Sequence, residues 1–171
     1  MPSPQSSTVT FRRVPPDFPR RPIERFARRL QMELAQGRPF DCLITGDADL
    51  RRLNLKFLGR DYPTDVLSFP GVAPAILSPV TLRPRTTTGD KIAGATGPHL
   101  GDIAISFARA RAQARDFGHD TGQEIQVLML HGLLHLLGMD HATDGGRMAR
   151  AEKRWRARLG LANGLIERVR R

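Results

Sequence analysis

Hydrophobic positions fall into two rhythms along this chain, and each switch between them marks an element. Val9 and Phe11 alternate with polar neighbours, with Val14 continuing the spacing, and predict a short strand. Pro15, Pro16, Pro19 and Pro22 stiffen the link to a helix that starts near Pro22. Its apolar stripe is Ile23, Phe26, Leu30 and Leu34, and Gly37 is its stop. Residues 40–45 read as a buried strand. Asp47 then caps a helix that turns Leu50, Leu53 and Phe57 inward and ends at Gly59. Residues 66–69, bounded by Pro63 and Pro70, and residues 102–106, with Ile103 and Ile105 on one face, predict two further strands. An alanine- and arginine-rich helix follows over residues 106–117. Thr121 with Glu124 forms a capping box for the next helix, which reaches Leu137 and is apolar nearly all round, the mark of a central buried helix. A last helix spans roughly residues 145–159, with Met148, Ala151, Trp155 and Leu159 inward and arginines outward.

These elements predict a mixed α/β layer fold, a small, mostly mixed sheet packed with several helices. Residues 1–8 read as a disordered lead, and residues 9–171 as a single domain. Residues 71–99, rich in Pro, Thr and Gly without sustained period, read as one long loop.

Composition narrows the setting. No apolar run is long enough to span a bilayer, the first ten residues lack a secretory signal, and the single cysteine, Cys42, has no disulfide partner within the chain. A reducing, cytoplasmic location is the expectation, with no membrane partner. The net charge of +10, from 27 basic against 17 acidic residues, points to an anionic partner, above all nucleic acid. An arginine-rich background composition accounts for the same balance, so charge alone names no partner.

The chemistry gathers at the end of the apolar helix. His131, His135 and His141 stand in the spacing H-x-x-x-H-x-x-G-x-x-H. Side chains four apart lie one turn apart on one helix face. Gly138 supplies the left-handed residue that ends the helix and lets His141 turn back toward the pair. Burying imidazoles unpartnered costs about 1–3 kcal/mol for each unsatisfied group, and one shared cation removes that cost. Zinc accepts an all-nitrogen tetrahedral set, and three protein ligands leave a fourth position open to water or substrate. Asp140 and Asp144 are alternatives for that fourth position, or carboxylates that orient the imidazoles. An open zinc is a Lewis acid and lowers the pKa of its water to about 7, which is hydrolase chemistry. The bond cut is a peptide or a phosphodiester. In H-E-x-x-H proteases a glutamate follows the first histidine. Gly132 stands there instead, and with the basic balance it favours RNA.

With these residues in hand, the chain resembles the YbeY family of bacterial rRNA maturation factors. The likeness is strongest over residues 128–144, L-M-L-H-G-L-L-H-L-L-G-M-D-H-A-T-D, and continues in Leu53, Asn54, Gly59, Arg60, Asp61 and residues 63–70, and in residues 100–105. The resemblance implies a metal-dependent, single-strand-specific endoribonuclease. It implies one zinc on His131, His135 and His141 in a cleft, and a role in maturing the 3′ end of small-subunit rRNA and in ribosome quality control. The implied partners are rRNA, the small ribosomal subunit and ribosomal or assembly proteins, with no DNA.

The chain departs from the family pattern in places. Leu58 stands where the family usually has an arginine thought important for RNA cleavage, and Arg60 is the candidate to take over its phosphate contact. Gly146 replaces an acid the family often carries. Asp102 and Asp140 are candidates for the general acid, with Asp102 equally readable as a structural carboxylate at a strand start. Thr64 and Ser68 position backbone or substrate, or are turn and strand-end polarity. Arg150, Arg154, Arg156, Arg158, Arg168, Arg170 and Arg171 form an RNA-facing surface or a solvated face. A non-catalytic ribosome-assembly factor with a structural metal, and a metzincin-like protease, remain the alternatives.

Overall fold

A computed structural model describes residues 5–71 and 99–161. Its elements run β1 (Thr8–Phe11), α1 (Arg21–Glu33), β2 (Asp41–Thr45), α2 (Asp47–Leu58), β3 (Val66–Pro70), β4 (Gly101–Ser106), α3 (Phe107–Phe117), α4 (Thr121–Leu136) and α5 (Arg147–Leu159). The sheet order is β1-β2-β4-β3, with β1, β2 and β4 parallel and β3 antiparallel on the edge. The fold is thus the expected mixed α/β type.

Every residue of β4 is buried, because helices cover both faces of the sheet. On one face Cys42, Ile44, Ile103 and Ile105 meet the stripe of α1 (Ile23, Phe26, Leu30) and the apolar α4. On the other, Leu43, Ala104, Leu67 and Phe69 pack on Leu50 and Leu53 of α2. A parallel pair covered on both faces reads as a continuous apolar run rather than an alternation, which is the pattern of residues 103–105.

Two glycines let the layers close. Gly101 has φ +139°, and a Cβ there would lie 2.1 Å from the Phe69 carbonyl oxygen, so only glycine fits where β4 starts beside β3. At Gly132 in α4, a Cβ would meet the Ile103 side chain at 2.9 Å and the Ser68 hydroxyl at 3.1 Å. The missing glutamate of the protease pattern has a physical reason: position 132 faces the sheet.

Some details differ from the sequence expectations. The capping box of α4 is Asp120 with Gln123, one residue earlier than Thr121 with Glu124. Both pairs fit the motif, but Glu124 is fully buried and pairs with His119, which leaves it unable to serve the helix end. Asp47 does not cap α2. Gly46 is the N-cap, while the Asp47 carboxylate accepts the Ser106 hydroxyl at 2.5 Å. Of the expected lead, the Ser7 N–H donates to Gln31 Oε1 of α1 at 2.7 Å, the Gln5 carbonyl accepts from Gln31 Nε2 at 2.9 Å, and Thr8 is already in β1. Residues 1–4, most of the 71–99 loop, and Arg168, Arg170 and Arg171 lie outside the described residues. No helix among the described residues is long and apolar enough to cross a membrane.

Candidate active site

The last turns of α4 carry His131 and His135 on one face, with ring centroids 4.9 Å apart. The helix stops at Leu136, Gly138 takes φ +88°, and the chain doubles back so that the His141 ring lies 5.6 Å from that of His131 and 5.3 Å from that of His135. Asp140 builds this return. Its carboxylate accepts the Ala142 N–H at 3.0 Å and the Thr143 hydroxyl at 3.3 Å, and its carbonyl accepts the Asp144 N–H. One ligand atom from each histidine falls within 4.8 Å of the others, so the cluster could hold a metal ion. Exposure is graded, from buried His131 through half-buried His135 to exposed His141, which opens one side to solvent.

The hydrogen bonds behind the rings fit a metal. His131 Nδ1 lies 3.0 Å from the buried Glu152 carboxylate, and His135 Nδ1 lies 2.9 Å from the Met139 carbonyl oxygen. Each acceptor fixes the proton on Nδ1, which leaves Nε2 as the ligand atom, the arrangement that orients imidazoles at metal centres. Burial and the neighbouring His131 push His135 below the usual histidine range, despite the opposing Met139 carbonyl, and keep it neutral and able to ligate. The Asp140 carboxyl is lowered by its hydrogen bond from the Ala142 N–H.

Glu152 is the partner that sequence reading missed. The signal was present: Glu152 is one helical turn from Met148 and adjacent to Ala151, an acid on the inward face of α5. Asp144, weighed as a ligand or imidazole partner, instead accepts the Gly146 and Met148 N–H groups at 3.0 and 2.8 Å and starts α5.

The cluster lies in a cleft of about 750 Å³. The same cleft is lined by Leu58, Arg60, Tyr62 and Thr64 at the end of α2 and in the α2–β3 connection, with Asn54 and Ser68. Arg60, the expected phosphate contact, is therefore brought to the site together with Leu58. The Ser68 hydroxyl donates to the Gly132 carbonyl at 3.0 Å and joins β3 to α4. Thr64 Oγ1 lies 3.3 Å from the Asp65 carboxylate.

Two candidates for the general acid sit elsewhere. Asp102 is buried beside Asp41 and His99 at the start of β4 and does not line the cleft. Asp140 is exposed, engaged in its turn, and likewise does not line it. The arginines of α5 are partly structural: Arg158 lies 3.4 Å from Glu33 of α1 and 5.0 Å from the Trp155 ring, and Arg150 donates to the Gly145 carbonyl.

Comparison with known proteins gives a consistent result. A family profile described as Endoribonuclease YbeY matches residues 19–160. A Solibacter usitatus protein named Endoribonuclease YbeY is 59% identical over 169 residues, covering 99% of each chain. A Roseiflexus protein of the same name is 44% identical, covering 78% of each. The solution structure of a Thermotoga maritima protein shares the fold at TM-score 0.52 and 19% identity, covering 88% of this chain and 86% of that one.

Proposed function

The chain belongs to the YbeY endoribonuclease family, and from that premise we propose that it is a zinc-dependent endoribonuclease of the cytoplasm that cuts single-stranded RNA and matures the 3′ end of small-subunit rRNA. The observation that carries this reading is the trio of imidazoles lining one cleft together with Arg60. Zinc bound by His131, His135 and His141 would supply Lewis acidity at a phosphoryl oxygen.

The remaining work falls to the chain. Glu152 and the Met139 carbonyl hold the two helical imidazoles in one tautomer and orientation. Arg60 presents a fork of N–H donors that suits the phosphate at the cut. Gly132 lets α4 sit close against Ile103, and the Ser68 hydroxyl ties that helix to the wall carrying the substrate. The chain's net charge of +10 draws a polyanion toward the cleft, so association weakens with salt. The expected partners are rRNA within the small ribosomal subunit and its ribosomal or assembly proteins.

One observation favours a second reading. Leu58 has no donor for a phosphate, which suits an assembly factor that binds rRNA without cutting it. Cleavage of a purified rRNA precursor by the wild type and by His135→Ala, with zinc content measured for both, separates the two. The enzyme reading expects cleavage and zinc binding in the wild type and loss of both in the variant. A folded variant that cuts as well as the wild type overturns it, and a zinc-loaded wild type that binds the precursor uncut establishes the second reading.

A further inference from the structure

The α2–β3 side of the cleft carries more than a phosphate contact needs. Leu58 and Tyr62 are each large apolar side chains left 52% exposed, and both line the cleft on either side of Arg60 in the chain. Tyr62 is the only tyrosine in the sequence. Its backbone, by contrast, is held firmly. Asn54 is buried and donates through Nδ2 to the Tyr62 carbonyl at 2.8 Å, and Arg60 N–H bonds the Asn54 carbonyl at 3.3 Å. Asp61, between them, is clamped by two bonds from Arg51 at 2.6 and 2.9 Å. Asn54 Oδ1 is buried without a hydrogen-bond partner in the described residues, an acceptor on the cleft wall that awaits a donor.

An exposed ring on a fixed backbone beside a cation is how single-stranded nucleic acid is gripped. The ring stacks on a base while the cation holds the adjacent phosphate, and little ordering cost falls on binding. We propose that Tyr62 is the stacking platform for one unpaired base of the RNA, with Arg60 on the neighbouring phosphate, Leu58 against the sugar or base edge, and Asn54 as the positioning residue that fixes Tyr62. The inference rests on the reading of the cleft as an RNA-cutting site and adds how an unpaired strand is told from a duplex. In a duplex the base faces are already stacked, and A-form RNA presents phosphates and 2′-hydroxyls instead. A platform that needs a free base face therefore rejects paired RNA.

Rapid mixing of zinc-loaded protein with a single-stranded RNA carrying 2-aminopurine tests this, with the same strand annealed to its complement as control. The wild type is expected to quench the fluorescence of the single strand and not of the duplex. Tyr62→Ala should lose the quench and raise KM about ten-fold, with thermal stability and the salt slope of binding unchanged. Tyr62→Phe should restore both quench and KM, and Arg60→Ala should keep the quench but flatten the salt slope. A Tyr62→Ala protein that cuts the single strand with wild-type KM and wild-type quench overturns the platform and leaves the endoribonuclease reading intact. A wild type that neither binds nor cuts the single strand overturns both.

Discussion

The two walls of the cleft solve opposite problems. The α4 wall is built from the inside: His131 and its partner Glu152 are buried, Gly132 is pressed onto Ile103, and the rings are aimed before any ligand arrives. The α2–β3 wall is built for contact: Leu58, Arg60 and Tyr62 are exposed on a backbone pinned by Asn54 and the Arg51–Asp61 pair. Chemistry needs groups preorganised in a dry frame, because reorientation at the moment of reaction raises the barrier. Recognition of a flexible polymer needs surface. Of the two departures from the pattern that the resemblance implies, Leu58 falls on the contact wall and Gly146 at the start of α5, beyond the histidine turn.

The largest expected effect breaks the first wall from behind. Glu152→Ala removes the acceptor of His131 Nδ1 without touching a ligand. Loss of such a partner typically weakens metal affinity about 10–100-fold. Competition against a zinc chelator should therefore show a drop of that size, while Glu152→Gln, which keeps an acceptor oxygen, should lose less. An unchanged affinity in Glu152→Ala would mean that the preorganisation attributed to the α4 wall is not what holds the metal.

The second wall is sharpened by adding what the family pattern expects. Leu58→Arg places a guanidinium near Arg60 in a segment that lines the cleft with the histidines. One more phosphate contact should steepen the log–log salt dependence of single-strand binding by about 0.7, with metal affinity unchanged. If RNA binding and its salt slope stay constant, position 58 does not face the polyanion, and the contact wall has been drawn too wide.

How much of this was legible in the chain divides along the same line. The apolar stripes of α1 and α4 and the strand at residues 103–105 could be read because burial imposes a local period. The histidine triplet could be read because a helical turn and one left-handed glycine bring His131, His135 and His141 together over a short span. Glu152 could not be assigned, since its meeting with His131 depends on how α5 crosses back after the Asp144 turn. Asp102 was readable two ways, as a general acid or as a structural carboxylate at a strand start, for the converse reason. A carboxylate beside a strand looks chemical in one dimension, but parallel pairing with Asp41 places it away from the cleft. Asp140 was near the histidines in sequence, and its oxygens are occupied by the turn that brings His141 home.

The seam between the walls gives a smaller effect. Gly132→Ala forces a methyl against Ile103 at 2.9 Å and the Ser68 hydroxyl at 3.1 Å. Overpacking of this kind costs about 1–3 kcal/mol, and the gain in helix propensity of alanine over glycine offsets about 1 kcal/mol of it. Thermal unfolding of the metal-free protein should register a net loss of about 1 kcal/mol, the difference of those two estimates. A neutral or stabilised variant would show that α4 can lift from β3 freely, and that the seam does not fix the distance between the walls.

The smallest expected effect is a pH dependence that belongs to the histidine wall. His135 is held below its ordinary value of 6.5, chiefly by burial and by the neighbouring His131 imidazole. The unfolded chain therefore binds the proton at a pH where the folded one does not. The stability contribution is fully present above 6.5 and is lost as pH falls from there through the lower folded value. Denaturant midpoints of the metal-free protein should decline across that window, and His135→Asn should flatten the decline. Zinc competes with the same proton, so saturating metal should move the window to lower pH. A decline that survives His135→Asn would place its origin outside His135, and burial of that imidazole would not be what sets the pH dependence.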